Sequence, residues 1–271
     1  MSANMVTDGS ELMLANLTGP IFAAAARTNP VIILPLCSHE DHGWLLPMGD
    51  YLLGESLALR IAAACGEKGV LTFVAPTMPF GVADYFGSSP GGMAISSASF
   101  KSLLRDLLDA LLRHNLTRII ILNGHGGNAP VIHEVTLGLK LSGGPIIPSV
   151  YLWKIARRLM ERGLGDSELS KFGHGAEPIL SLSMALRPQY VSDQASSRPA
   201  EPLCLGLPIS GFGSIDYKGI PIDMPVEFDQ VPANAIDAAK EVASAALGKS
   251  IAAELIAIIA EFISYYASQK G

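Results

Sequence analysis

The stretch Arg118-Ile119-Ile120-Ile121-Leu122 runs directly into Asn123-Gly124-His125-Gly126-Gly127-Asn128. A short β-branched run that is apolar at every position reads as a strand covered on both faces, because a strand with one wet face alternates. The glycine turn is followed by a helical pattern over 129–141. Three more runs have the same character: Val31–Leu34, Leu71–Val74 and Ile146–Leu152. Helices are predicted between and after them, over about 51–65, 100–112, 154–163, 175–186 and 234–266. In the 100–112 segment Phe100, Leu103, Leu104, Leu107, Leu108, Leu111 and Leu112 form one stripe, with Ser99 as the expected N-cap. The alternation predicts an α/β fold with a largely parallel sheet and helices on both faces.

The rest of the chain is consistent with one domain over residues 1–271. Residues 187–232 are rich in proline and glycine and read as a long loop or hairpin excursion. Apolar residues make up 49% and charged residues only 16%, against roughly 25% charged in soluble domains. That composition excludes disorder. It leaves a membrane or a subunit interface to explain the missing charge. The apolar run Ile251–Ile263 carries Glu254 and Glu261 and is too short to span a bilayer. Residues 12–26 are interrupted by Gly19-Pro20 and lack a basic flank, which argues against a signal peptide. A net charge of −6 without a basic cluster argues against nucleic acid. Three widely spaced cysteines, Cys37, Cys65 and Cys204, make no disulfide framework and point to a reducing, cytoplasmic setting. The subunit interface remains. The Ala-rich segment 234–247, or the 187–232 excursion, is the expected contact in a homo-oligomer.

Chemistry concentrates in three segments. After the strand at Val31–Leu34 come His39, Glu40, Asp41 and His42 in a row, and then Asp50 before a helix. In extended backbone Glu40 and His42 project to one side, a carboxylate–imidazole half-site for a metal. His39 and Asp41 project to the other side and fit supporting or surface roles. The second segment is Asn123–Asn128, where His125 stands at the carboxyl end of a strand, the place where parallel α/β sheets bind ligands. A phosphate loop is a weak alternative, since neither GxxxxGK[ST] nor GxGxxG is present. The third is Gly173-His174-Gly175-Ala176-Glu177, with His174 and Glu177 three apart. On residues alone the first segment also reads as an exposed polar loop, and the third as a charge at a helix N-terminus beside a surface histidine. His114 and His133 suit helix ends or surfaces, and Cys37 suits packing.

Together the segments resemble the creatininase family of metal-dependent amidohydrolases. Pro35-Leu36-Cys37-Ser38-His39-Glu40-Asp41-His42-Gly43 with Asp50, the intact Asn123–Asn128 element, His174 with Glu177, and Pro90-Gly91 through Ser96 stand in the family's order. The resemblance covers roughly 14–186. It implies a three-layer α/β/α sandwich, a homo-oligomer that is often hexameric, and two divalent metal ions per subunit, zinc, manganese or iron. Carried over position by position, Asp50 bridges the metals, Glu40 and His125 complete one site, and His42 serves the other. Some members supply a further carboxylate where this chain has Gly127, so Glu177 is the remaining candidate ligand. His174, with Glu177, is the implied catalytic acid/base.

Trp44, Phe86, Gly126, Gly127, Asn128 and Trp153 are the implied substrate contacts, although core packing explains Trp153 equally well. The implied reaction is hydrolysis of a non-peptide C–N bond in a small linear or cyclic amide, through a metal-bridging hydroxide. Two alternatives stay open: C–C hydrolysis of a cyclic ketone, and a non-catalytic metal-binding assembly protein. Leu45 stands where the family often has a second histidine, and Pro178-Ile179-Leu180 replaces its usual polar continuation. These departures argue for a substrate other than creatinine.

Overall fold

The computed structural model describes residues 9–82, 89–163, 170–194, 203–211, 213–226 and 234–269. Strands β1 (Val31–Leu36), β2 (Thr72–Val74), β3 (Ile119–Asn123) and β4 (Ser149–Tyr151) form one sheet in the order β2-β1-β3-β4. Every pairing in it is parallel. The helices are α1 (Gly19–Ala26), α2 (Tyr51–Glu67), α3 (Ser97–Leu112), α4 (Ala129–Leu141), α5 (Leu152–Gly163), α6 (Ile179–Leu186), α7 (Asn234–Ala239) and α8 (Ala245–Ser268).

All six residues of β1 are buried, and their alternation divides them between two cores. Val31 and Ile33, with Ile120 and Leu122, pack under α2, α5, α6 and α8. Ile32, Leu34 and Leu36, with Ile119 and Ile121, pack under α3 and α4. The unbroken apolar runs therefore arise from helices on both faces, as a parallel sheet requires. The four β-carboxyl ends open on one edge, and the loops that follow β1 and β3 meet there.

Local boundaries differ from the sequence expectation for identifiable reasons. Helix α3 starts earlier because Ser96, in extended backbone, accepts a hydrogen bond from Ser99 N at 3.2 Å, so Ser96 and not Ser99 is the cap. The segment expected as helix from 175 begins only at Ile179, since Gly175 has φ +69 and cannot enter a right-handed helix. The expected single helix over 234–266 is broken into α7 and α8. Ser244 caps α8 by accepting from Leu247 N at 3.1 Å, while its own N–H donates to Ser181 Oγ at 3.1 Å. The alanine face proposed for a subunit contact is partly used within the chain, with Ile236 and Ala239 buried.

The excursion contains a small antiparallel sheet, β5 (Leu203–Cys204), β6 (Leu207–Gly211), β7 (Ser214–Tyr217) and β8 (Ile220–Asp223), around Ile209, Ile215 and Val226. Among the described residues no helix is long and apolar enough to cross a membrane. Cys37, Cys65 and Cys204 are free thiols.

Helix α8 crosses α6 at a glycine. A Cβ on Gly248 would sit 1.8 Å from the Ser181 carbonyl oxygen, whereas a Cβ on Gly138 in α4 meets nothing within 4 Å. Gly248→Ala is expected to lower unfolding stability by about 3 kcal/mol through overpacking. Gly138→Ala is expected to raise it by roughly 0.5–1 kcal/mol, because alanine loses less backbone entropy in a helix. Urea midpoints moving in the same direction for both variants would contradict this packing account.

Candidate metal centre

The loop after β1 carries the densest chemistry. Gly49 N donates to the Glu40 carbonyl at 3.0 Å and closes the loop on itself. Asp41 shapes its tip: Oδ1 accepts from Gly43 N at 2.7 Å and Oδ2 from Ser89 Oγ at 3.0 Å. The Asp41 side chain thus supports the loop, and His39 lies against the Tyr51 ring. Glu40, His42 and Asp50 are turned inward and buried.

Three imidazoles surround the Glu40 carboxylate. His125 Nδ1 lies 3.0 Å from Oε2, and His42 Nε2 and His174 Nδ1 lie 3.7 and 3.9 Å from Oε1. The other nitrogen of each ring faces a backbone carbonyl. His42 Nδ1 is 3.1 Å from the Glu40 carbonyl, His125 Nε2 is 2.8 Å from that of Val82, and His174 Nε2 contacts that of Asp41. A carbonyl oxygen only accepts, so each of these nitrogens carries the proton. In the neutral ring the inward nitrogen is then an unprotonated lone pair. Histidines that ligate metals are held in this way, with the distal N–H on a carbonyl.

Glu40, His42 and His174 each offer a ligand atom within 4.8 Å of the others. Asp50 adds to the same wall. It occupies the N-cap position of α2 without capping it. Instead Oδ2 accepts from the Trp153 indole at 2.7 Å, and Oδ1 is buried with no hydrogen-bond partner among the described residues. A buried carboxylate oxygen left unpaired is costly, and a cation among these donors relieves that cost. The donor set, mixed nitrogen and oxygen, suits zinc, manganese or iron.

Ionisation states follow from the surroundings. Burial pushes Glu40 up, but His125, His42 and His174 together outweigh it and bring the carboxyl down to about 2. Burial pushes Asp50 up to about 6, against His42. Burial would lower His125, yet its contact with Glu40 leaves it raised. Burial, with His42 adjoining, drives His174 down to about 3; the two rings stack at 4.5 Å. Burial raises Glu177.

A cavity of about 400 Å³ opens over this cluster. Its walls include Glu40, His42, Asp50, His125, His174 and Glu177, together with Gly126, Gly127 and Trp153. Glu177 stands apart from the Glu40–His42–His174 group, with Oε1 accepting from Ser181 Oγ at 2.5 Å and Oε2 from Ser181 N at 3.2 Å. His174, assigned to acid/base work by resemblance, is placed among the ligand donors. Gly175 allows that placement, because a Cβ there would lie 2.1 Å from the His42 carbonyl oxygen. Asn128 is fully buried and does not line the cavity. Its Oδ1 accepts from Val82 N at 3.0 Å and its Nδ2 donates to the Cys37 carbonyl at 3.2 Å. Trp44 packs against the core rather than the cavity, and Phe86 lies outside the described residues.

Burial pushes the Cys37 thiol well up, and its sulfur fills the space beside Gly54 and Gly124. Sequence reasoning missed Tyr151, Lys154, Arg157 and Phe172 on the cavity wall. Tyr151 could have been found, since it ends β4 as Asn123 ends β3.

The Asp50 shift fixes a pH dependence for the metal-free protein. Its folded pKa of about 6 exceeds the ordinary 3.8, so its contribution to stability is lost as pH rises from about 4 to 6. Asp50→Asn is therefore expected to stabilise metal-free protein above pH 6 by roughly 1–3 kcal/mol and to change little below pH 4. Chemical denaturation with chelator, at pH 3.5 and 7.5, measures it. Equal effects at both pH values would contradict the assigned ionisation.

Comparison with known proteins identifies the family and the fold. The creatininase family model, described as creatinine amidohydrolase, matches residues 15–263. Creatinine amidohydrolase of Pseudomonas putida is 28% identical over 118 residues, 41% of this chain and 44% of the relative. The mycofactocin precursor peptide peptidase of Mycolicibacterium smegmatis is 28% identical over 123 residues, 42% of this chain and 47% of the relative. Both alignments thus span a little under half of the curated relative. A solved structure of creatininase, designated Mn, superposes with a TM-score of 0.73 at 21% identity, covering 95% of this chain and 99% of that one. The parallel sheet between two helical layers is the fold of that structure, and the chain belongs to the creatininase family.

Proposed function

We propose that the protein is a metal-dependent amidohydrolase acting on a small linear or cyclic amide. The observation that carries this reading is the convergence of Glu40, His42 and His174 within 4.8 Å, beside a buried Asp50 oxygen with no hydrogen-bond partner among the described residues. Family membership supports hydrolysis, and the creatininase designated Mn supports a metal. Glu40, His42, Asp50, His125 and His174 would hold two divalent ions, manganese or zinc before iron. When bound, such ions polarise the amide carbonyl and make a water nucleophilic near neutral pH.

The chain's own residues do the remaining work. The backbone carbonyls of Glu40, Asp41 and Val82 favour the Nδ1–H form of His42 and the Nε2–H forms of His174 and His125. The Trp153 indole holds Asp50 Oδ2 and leaves Oδ1 without a hydrogen-bond partner among the described residues. Gly126 and Gly127, at the entry to α4, let backbone N–H groups approach the carbonyl oxygen as it becomes negative. Glu177 suits proton transfer better than His174, since burial raises its pKa while that of His174 falls to about 3. Its Oε2, more loosely held than Oε1, takes a proton from water and delivers it to the departing nitrogen. The net reaction adds water across the C–N bond to give a carboxylic acid and an amine.

Elemental analysis of purified protein is expected to find divalent metal. Chelation should abolish amide hydrolysis, and added manganese or zinc should restore it. Asp50→Ala should lose metal and more than about a hundredfold in kcat/KM, beyond the effect usual for residues behind the ligands. Glu177→Gln should keep the metal and lose roughly 10²–10⁴ in kcat, the usual range for a general acid–base. An Asp50→Ala protein with full metal and full turnover would overturn the assignment.

A further inference from the structure

Two cations line the cavity beside the donor cluster. Lys154 and Arg157 stand three residues apart at the start of α5 and share one of its faces. They adjoin the centre through Trp153, the neighbour of Lys154 in the chain, whose indole is bonded to Asp50 at 2.7 Å. Arg157 is held in place. Its Nε donates to Glu161 Oε1 at 2.7 Å, and its guanidinium lies over the Phe172 ring at 5.1 Å, which lines the same cavity. Among the described residues the terminal nitrogens of that guanidinium have no hydrogen-bond partner. Lys154 has no ion pair among the described residues. Among the described residues of the wall, the other ionisable groups are the carboxylates and imidazoles of the centre and the Tyr151 phenol. Two cations at this one place stand out in a chain whose net charge is −6.

We propose that the substrate is a small amide bearing a carboxylate, which Lys154 and Arg157 hold while the amide carbonyl reaches the donor cluster. This rests on the amidohydrolase reading above and names its substrate class. Glu161 is shared between Arg157 and Arg158, at 2.7 and 3.2 Å, so it offsets the Lys154 and Arg157 charges only in part and leaves them suited to an anionic group. A cavity of about 400 Å³ falls at the small end of the roughly 300–1,000 Å³ typical of small-molecule sites. Hydrolysis adds one water across the C–N bond, gives a carboxylate and an amine, and leaves the recognised carboxylate untouched.

The test uses the metal-loaded full chain. Succinamate, glutaramate and N-acetylglycine are each compared with their methyl esters, as substrates and by calorimetric binding. The anionic member of a pair is expected to bind and turn over better through a lower KM. The preference should weaken as sodium chloride is raised. Lys154→Ala and Arg157→Gln are each expected to cut the anionic-to-neutral ratio roughly tenfold, as loss of a charged hydrogen bond does. Lys154→Glu should cut it further. Both residues are exposed, so folding is not at stake.

If amides are cleaved with no anionic preference, or the variants shift both members equally, the anion site is overturned and the hydrolase reading stands. If glutaramate binds in a Lys154-dependent way and no amide is cleaved, the hydrolase reading fails and the anion site stands. Neither binding nor cleavage would overturn both.

Discussion

Glu40 buries a carboxylate at 3% exposure and collects three imidazoles around it. A charge removed from water is tolerated only when it is paired and its partners are themselves satisfied. Each histidine must therefore find an acceptor for its outward N–H, and that acceptor is always a main-chain carbonyl. Two come from the Glu40 loop itself and one from Val82. This demand explains why the loops are so tightly laced. Asn128 ties Val82 N to the Cys37 carbonyl through the two ends of one amide. It thereby fixes the carbonyl that orients His125 relative to the strand end that carries Glu40. Asn128 acts on the centre by positioning backbone.

The cavity wall is also coupled to the C-terminal helix. Ser181 Oγ donates to Glu177 Oε1 and accepts from Ser244 N, the residue that caps α8. Its carbonyl lies where a Cβ on Gly248 would have to go. One serine thus links a carboxylate on the cavity wall to the start of α8 and to the closest approach of α6 and α8. Repacking α8 would be felt at Glu177 through this single side chain.

These links show what could be read from the residues. The sheet was legible at β1 and β3 because burial on both faces leaves an apolar run without alternation. The three segments of the centre were legible because Glu40, His42, Asp50, His125 and His174 are dense, ionisable and placed beside strand ends. The tautomer-setting carbonyls were not legible, since a carbonyl carries no residue signature and Val82 is far from His125 in sequence. The break between α7 and α8 was hidden for a related reason. Residues 240–244 contain good helix formers, and the chain turns there because Ser244 N reaches Ser181, which lies 63 positions earlier. Lys154 and Arg157 read as a solvated helix face until β4 places the start of α5 at the cavity.

Three carboxylates share this cavity and are pushed to different states by what surrounds them. Glu40 has an imidazole within hydrogen-bonding distance and sits at about 2, ionised under all ordinary conditions. Asp50 has one indole donor and sits at about 6, poised to give up its proton when a cation arrives. Glu177 is bonded to Ser181 and is raised by burial. Groups of the same chemistry are separated in this way into a permanent anion, one that ionises with cation binding, and one able to carry a proton. In the proposed centre that separation divides the labour: Glu40 holds charge, Asp50 couples cation uptake to proton release, and Glu177 moves protons. The division depends on burial and on how closely imidazoles approach each carboxylate, so it is set by the loops after β1 and β3 rather than by the identity of the acids.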